Sequence, residues 1–516
     1  MPEKIFKKLN TKILPQWRVC FFTAVVVGLL AHIYKITNWL PNWDSLVFRY
    51  DPQNMVGLGR WFLPVVCSFS SFYELPFLNG ILTIVFHAAG AVCICRIFNV
   101  KKNITAGLTG AFIVSFSTVT SVLMYNYVAD GYSIAFFLST LAALLMTREK
   151  PDYVASAVLI ALSTGIYQAY VTVTIMLILL KLIDEIVHHK PIAKAMLKKV
   201  VFMLITGFAG MALYALVLKV VLGILSAELL DYQGINSSAS MSGINIAASF
   251  YVIKETFLKC FFDFSNGVNV YVVLNIFIFI FTVAFYLKCI VLNKLYKKPG
   301  NLIMLFALCF MLPVGAGALA FLNAYIDYHN LMLMGYSVFY LFFLLIYERG
   351  KEKNERQRTV KCWIVLLVAV AVIANQVVIS NVSYHKAQIA YEKSYGVLVR
   401  IADRIEQTTG YEDCNRILVV GALEDSEAYS VNLSPDVTGI TDGYIIRADD
   451  EVVGQSVLCS ALNDYCGKNY GFVSGEEKKD FMKNEEIKNM KSWPLAGCVK
   501  IVNDVIVIKL GTEGEF

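Results

Sequence analysis

Apolar runs of about 20 residues recur along this chain, separated by short polar or charged stretches, and about 20 such residues are what a helix needs to cross the hydrocarbon core of a bilayer. They lie near 18–39, 77–97, 104–124, 127–147, 200–223, 269–292, 301–321, 328–347 and 362–381. The run 153–182 is too long for one ordinary span, and "STGIYQAY" (Ser163 to Tyr170) interrupts it. That pattern predicts two short helices meeting at a turn, and about eleven spans in all.

Past residue 381 the pattern changes. "YHKAQIAYEKSYGVLVRIADRIEQ" carries apolar residues at helical spacing among mixed charges and predicts an amphipathic helix leaving the membrane. "NRILVVGAL", "VVGQSVLCSAL" and "CVKIVNDVIVIKL" read as strands or short buried helices, with "SEAYS" and "VSGEEKKDF" as polar connections. The expected organisation is therefore a transmembrane domain, 1–381, followed by a small mixed α/β domain, 382–516. Two outer loops stand out, 40–76 and 224–268. The second joins "DYQGINSSASMSG" to the more amphipathic "AASFYVIKETFLKCFF", a candidate for part of a substrate entrance.

Composition agrees with a multi-pass membrane protein: 57% hydrophobic and only 16% charged residues, with a mean hydropathy of +0.60. The net charge of +6 then reports orientation, and no nucleic-acid partner is expected. With the N-terminus inside, the inner segments collect Arg96, Lys101 and Lys102; Arg148 and Lys150; Lys190, Lys194, Lys198 and Lys199; Lys294, Lys297 and Lys298; and "ERGKEKNERQRTVK". Every inner loop then obeys the positive-inside rule, and the odd span count places 382–516 outside. After Lys4, Lys7, Lys8 and Lys12 the apolar run is too long for a signal-peptide core, so it reads as a retained first span of a cell-membrane protein. Of 12 cysteines, Cys414, Cys459, Cys466 and Cys498 share the outer domain; disulfides are chemically permitted there, and spacing does not choose a pairing.

The first outer loop, "NWDSLVFRYDPQNMVGLGRW" (Asn42 to Trp61), sets Asp44, Arg49, Asp51 and Arg60 among aromatics and glycines. Carboxylates facing lipid are expensive, so these sit in water or face a polar cavity. Gly57 and Gly59 let the backbone turn and aim Arg60. "FLPVVCSFSSFYELPFL" is broken by Pro64, Pro76 and serines, and suits a helix lying along the interface. An Asp can take a proton from an attacking hydroxyl or help hold a divalent metal ion, and an Arg fork complements phosphate. The ring faces offer surfaces for sugars. Together these residues suit transfer of a group from a lipid-linked phosphate to an acceptor outside.

The chain resembles the GtrII-like glucosyltransferases. The resemblance rests on "NWDSL" and "GLGRW", "YNYVADGYSIAFFLSTLAALL", "GIYQAY", and "NQVVISNVSYHKAQIAYEKSYGVLVRIADRIEQ". It implies a GT-C type membrane fold, a polyprenyl-phosphate sugar donor, a surface polysaccharide or wall polymer as acceptor, and separate donor-making and flipping proteins. It also implies a functional acid in the first outer loop, which maps onto Asp44. Many members pair two acids there, whereas here Trp43 precedes Asp44 and the second acid comes only at Asp51.

The candidate catalytic residues are thus Asp44 and Asp51. Arg60, Arg49 and His329 are the candidates for the donor phosphate. Trp61, Asp130, Tyr167, Gln168, Tyr325 and Asp327 are the candidates for substrate contact. Asp130 also reads as the N-cap of span four, Tyr167 and Gln168 as interfacial residues at a turn, and Asp327 as a cap. Asp184 and Glu185 read as helix-end charges, and His188 and His189 as solvated. No P-loop, Rossmann fingerprint or HExxH is present, so cytosolic nucleotide-sugar chemistry has no visible site. The competing classes are a ligase or polymerase of lipid-linked glycans, and a flippase or transporter. Most span centres lack the charged residues a transporter would use.

Overall fold

The computed structural model describes residues 3–4, 13–48, 52–70, 73–189, 191–230, 245–264, 269–322, 328–350, 354–423 and 451–511. Among them, nine candidate membrane spans are long and apolar enough to cross a bilayer: Pro15–Thr37, Pro76–Ile97, Asn103–Met124, Asn126–Thr147, Ala193–Leu225, Val270–Leu292, Pro299–Ala316, Asn330–Arg349 and Glu355–Glu406. The long 153–182 run divides as its pattern predicts. Helix Tyr153–Ile166 and helix Val171–His189 meet at a 3-10 turn, Gln168–Tyr170, where Tyr167 is extended at φ −155°, ψ 117°. Side-chain caps begin several helices: Asn245 accepts from the Ala248 amide and Asn269 from that of Val272, each at 3.0 Å.

The chain forms two compact units. The first is Met1–Ile36, Asp51–Leu123 and Val128–Asn381; the second is Thr37–Tyr50, Met124–Tyr127 and Val382–Phe516. The first outer loop is divided between them.

Within the first unit, small residues let helices approach closely. Gly28 lies against Ile84 and Val114, and Gly80 against Ile36, so that a Cβ on either would collide. At its charged end, Asp184 corrects the helix-end reading. It is fully buried, and Arg349 donates to it through Nε at 3.1 Å and Nη2 at 3.0 Å while also reaching the Phe98 carbonyl. His188 is not simply solvated: its Nε2 lies 3.7 Å from Asp184 and its side chain is mostly covered. Glu185 accepts from Lys199.

In the second unit, the expected amphipathic helix continues the last span as one 52-residue helix, Glu355–Glu406. Its buried face there includes Tyr384, Ala387, Leu398, Ile401 and Ile405. It packs on a four-stranded sheet of order β2-β1-β4-β3, where β1 is Arg416–Val420, β2 Gly471–Phe472, β3 Val499–Val502 and β4 Val505–Lys509. β1 is parallel to both β2 and β4, and β3 is antiparallel to β4. Alternate residues feed two cores. Ile417, Val419, Ile506 and Ile508 face helix Glu451–Cys466 and Trp493, while Leu418, Val420, Val505 and Val507 face Val473, Ile487 and Met490. Burial on both faces explains why "RILVV" and "VIVIK" are apolar throughout. "VVGQSVLCSAL" is a helix, "CVKIVNDVIVIKL" a hairpin turning at Asn503 and Asp504 (φ 51° and 59°), and "VSGEEKKDF" contains helix Gly475–Phe481 rather than only a connection. None of the twelve cysteines forms a disulfide. Cys459 donates to the Tyr470 carbonyl at 3.0 Å, and burial pushes its thiol up to about 11.

Candidate functional site

Arg60 is the centre of the site in the first unit, and its position follows from the backbone before it. The 3-10 helix Pro52–Leu58 ends at Gly59, which adopts φ +80°. The Gly59 amide donates to Val56 and that of Arg60 to Met55. Two side chains hold the turn: Gln168 Nε2 donates to the Leu58 carbonyl at 2.8 Å, and the Tyr214 hydroxyl to the Gly59 carbonyl at 3.0 Å. Gln168 and Tyr214 also meet at 3.2 Å. Beyond Arg60, the Phe62 amide donates to the Gly165 carbonyl at 2.8 Å, and the Trp61 indole fills the space where Gly165 lacks a side chain. The helix break at 165–168 thus grips residues 58–62.

The Arg60 side chain lies in a tyrosine frame. Nη1 donates to the Tyr132 hydroxyl at 2.9 Å, and the guanidinium carbon lies 4.9 Å from the Tyr167 ring centroid and 5.9 Å from that of Tyr132. The two rings stack on each other at 4.5 Å and 12°, and Tyr170 meets Tyr167 edge-on at 5.9 Å. A guanidinium stacked this way keeps its plane fixed. Tyr167 is only 4% exposed, which replaces its reading as an interfacial residue with that of a partner of Arg60.

Gly59 is the demanding position. A Cβ there would lie 2.5 Å from the Tyr214 hydroxyl and 2.7 Å from Gln168 Nε2, whereas one on Gly57 would meet only the Leu230 side chain and the Glu228 carbonyl at 3.0 Å or more. Gly59→Ala combines left-handed strain of roughly 1–2 kcal/mol with a displaced hydrogen-bond pair. It should lower sugar transfer about tenfold or more, at equal amounts of inserted protein, while Gly57→Ala does much less. Equal activity of the two variants would show that the turn does not position Arg60.

Helix Asn126–Thr147 begins four residues before Asp130, which corrects its reading as an N-cap. Asp130 is fully buried, its Oδ1 accepts from the Gly131 amide at 3.0 Å, and Cys67 Sγ lies 4.0 Å away. Among the described residues, Asp130 Oδ2, Trp61 Nε1 and the Tyr170 hydroxyl have no hydrogen-bond partner. Buried polar atoms are usually partnered, so each exception calls for an explanation such as a bound group.

Of the other candidates, His329 caps the 3-10 helix Asn330–Ser337 by accepting the Leu331 amide at Nδ1, 3.3 Å. That helix packs against the Gln168–Tyr170 turn, and Asn330 is tied to Ser117 and Ser121. Asp44 lies in the second unit, in helix Trp43–Phe48, where Asn42 Oδ1 accepts the Asp44 amide at 2.9 Å. Leu46 and Trp43 pack into the core of that unit. Arg49, Asp51, Tyr325 and Asp327 lie outside the described residues. No group of three or more His, Cys, Asp or Glu suited to a metal ion occurs among the described residues. Tyr132 and Tyr214 were not anticipated; the available signal was a phenol inside an apolar helix, whose hydroxyl needs a partner.

A family model described as glucosyl transferase GtrII matches residues 33–322. The chain belongs to the GtrII glucosyl transferase family. No curated protein and no solved structure matches it. In this GtrII family member the matched region contains Asp44, Arg60, Asp130, Tyr132, Tyr167, Gln168 and Tyr214, and it ends before His329 and the C-terminal α/β region. The residues that build the Arg60 frame therefore all lie within the family region, and membership supplies the general chemistry, glycosyl transfer by a multi-pass membrane protein.

Proposed function

We propose that this protein transfers glucose from a polyprenyl-phosphate carrier to a cell-surface polysaccharide or wall polymer, on the outer face of the cell membrane, with a GT-C type arrangement of helices. The observation that carries the reading is the frame around Arg60, a guanidinium held by Tyr132 and Tyr167; on the same stretches of chain, Trp61, Tyr170 and Asp130 each carry a buried polar atom with no hydrogen-bond partner among the described residues. A planar cation held in a fixed place suits a phosphate carrying a sugar.

In the proposed step, an acceptor hydroxyl attacks the anomeric carbon and its proton passes to the Asp44 carboxylate. The bond from that carbon to the phosphate oxygen breaks, and polyprenyl phosphate leaves with the electron pair. Arg60 meets the charge that develops on the phosphate. Arg49 and His329 are placed as further phosphate contacts, Asp51 as the second acid, and Trp61, Asp130, Tyr167, Gln168, Tyr325 and Asp327 as contacts to the substrates. The N-terminus is cytoplasmic and the C-terminal domain extracytoplasmic. Other proteins supply and flip the donor.

Purified protein in liposomes should consume polyprenyl-phosphate-glucose and glucosylate envelope polysaccharide added outside. Consumption of an oligosaccharide carrier instead would assign a ligase or polymerase. A reporter fused after residue 516 and active only in the cytoplasm would overturn the outward-facing arrangement.

A further inference from the structure

The second unit gathers four aromatic rings from three separate segments. Trp39 lies flat on Tyr465, with centroids 5.5 Å apart and planes at 18°. Tyr391 and Tyr395, one turn apart on the long helix, approach Tyr465 at 6.3 and 6.2 Å and each other at 6.1 Å and 22°. Rings that served only to fill a core would be covered, yet Trp39 is 40% and Tyr395 39% exposed. Exposed Glu392 and Asp464 and half-buried Asn38 and Lys393 adjoin these rings in sequence.

We infer that this cluster is a platform for the sugar rings of the glycan acceptor, an inference that rests on the transferase reading above. A pyranose presents a face of C–H groups that packs on a flat aromatic ring, while its hydroxyls need polar neighbours at the ring edges. The platform also lies near the candidate base. Helix Trp43–Phe48 packs against helix Glu451–Cys466, which carries Tyr465. Trp39 is five residues from Asp44, at most about 17 Å of extended chain. A bound glycan of a few sugar units bridges that distance. Aromatic residues also anchor proteins at membrane interfaces. An anchor of that kind would bind no soluble oligosaccharide, so fragment affinity separates the two readings.

The test uses the full-length protein in nanodiscs and oligosaccharide fragments released from the producing organism's envelope polysaccharide. Calorimetry gives fragment affinity, and transfer assays give KM for fragments and for polyprenyl-phosphate-glucose. Trp39→Leu and Tyr395→Leu should each weaken fragment binding roughly 3- to 10-fold. Trp39→Phe should retain most of it, and donor KM should not change. Wild-type affinity in both Leu variants would overturn the platform, as would losses that appear only together with loss of protein from the membrane fraction. Donor consumption by wild-type protein that binds no fragment would sink the platform and leave the transferase standing. Platform-dependent binding without any donor consumption would do the reverse.

Discussion

Asp44→Asn should abolish sugar transfer while leaving the protein folded and inserted. General-base assistance is typically worth on the order of 100- to 10,000-fold in rate, whereas loss of a surface ion pair costs under about 1 kcal/mol. The substitution spares the contacts that start and anchor the local helix. Helix Trp43–Phe48 is started by Asn42, whose side chain accepts the Asp44 amide, and anchored by Leu46 and Trp43 in the core. Neither contact uses the Asp44 carboxylate, and Asn is nearly isosteric. Asp51→Asn is the internal control. Full activity in Asp44→Asn with loss in Asp51→Asn reassigns the base to Asp51; full activity in both removes the loop carboxylates from the chemistry.

The largest stability effect is expected at the buried ion pair. Arg349 grips Asp184 with two hydrogen bonds and the Phe98 carbonyl with a third, joining helix Val171–His189 to the end of span Asn330–Arg349. Asp184→Leu leaves a largely covered guanidinium without its counter-charge, and breaking such a pair costs about 3–5 kcal/mol. The double variant Asp184→Leu with Arg349→Met removes both charges and should recover much of that loss. Thermal unfolding of the purified proteins in one detergent separates the cases. A single variant as stable as wild type, or a double variant no better than the single, would show that the pair does not hold the helices together.

Much of the architecture was legible because lipid imposes a simple rule on sequence. Apolar runs located the candidate spans, and the polar interruption at Ser163 to Tyr170 located the helix break. The Asn503-Asp504 turn made a hairpin of a segment whose apolar pattern alone fitted either strand or helix. Tertiary partners were not legible. Asp184 has the local signature of a helix-end charge, and only the fold brings Arg349, 165 residues away, onto it. Asp130 looked like a cap because it follows an outer turn at the start of span four, yet the helix already begins at Asn126, four residues earlier. Arg60 was singled out from its glycines and position, but its frame comes from Tyr132 and Tyr167, on two other parts of the chain. A phenol inside an apolar helix signals that its hydroxyl needs a partner, but the local sequence does not say which.

The central claim is that the framed Arg60 guanidinium clamps the donor phosphate, and Arg60→Lys tests it most directly. Lysine keeps the charge but loses the planar fork and the stack on Tyr167. A lost charge-assisted hydrogen bond is worth about 1.5–3 kcal/mol, so KM for polyprenyl-phosphate-glucose in liposomes should rise roughly 10- to 100-fold while acceptor KM stays constant. An Arg60→Lys enzyme that uses the donor as well as wild type would contradict the clamp.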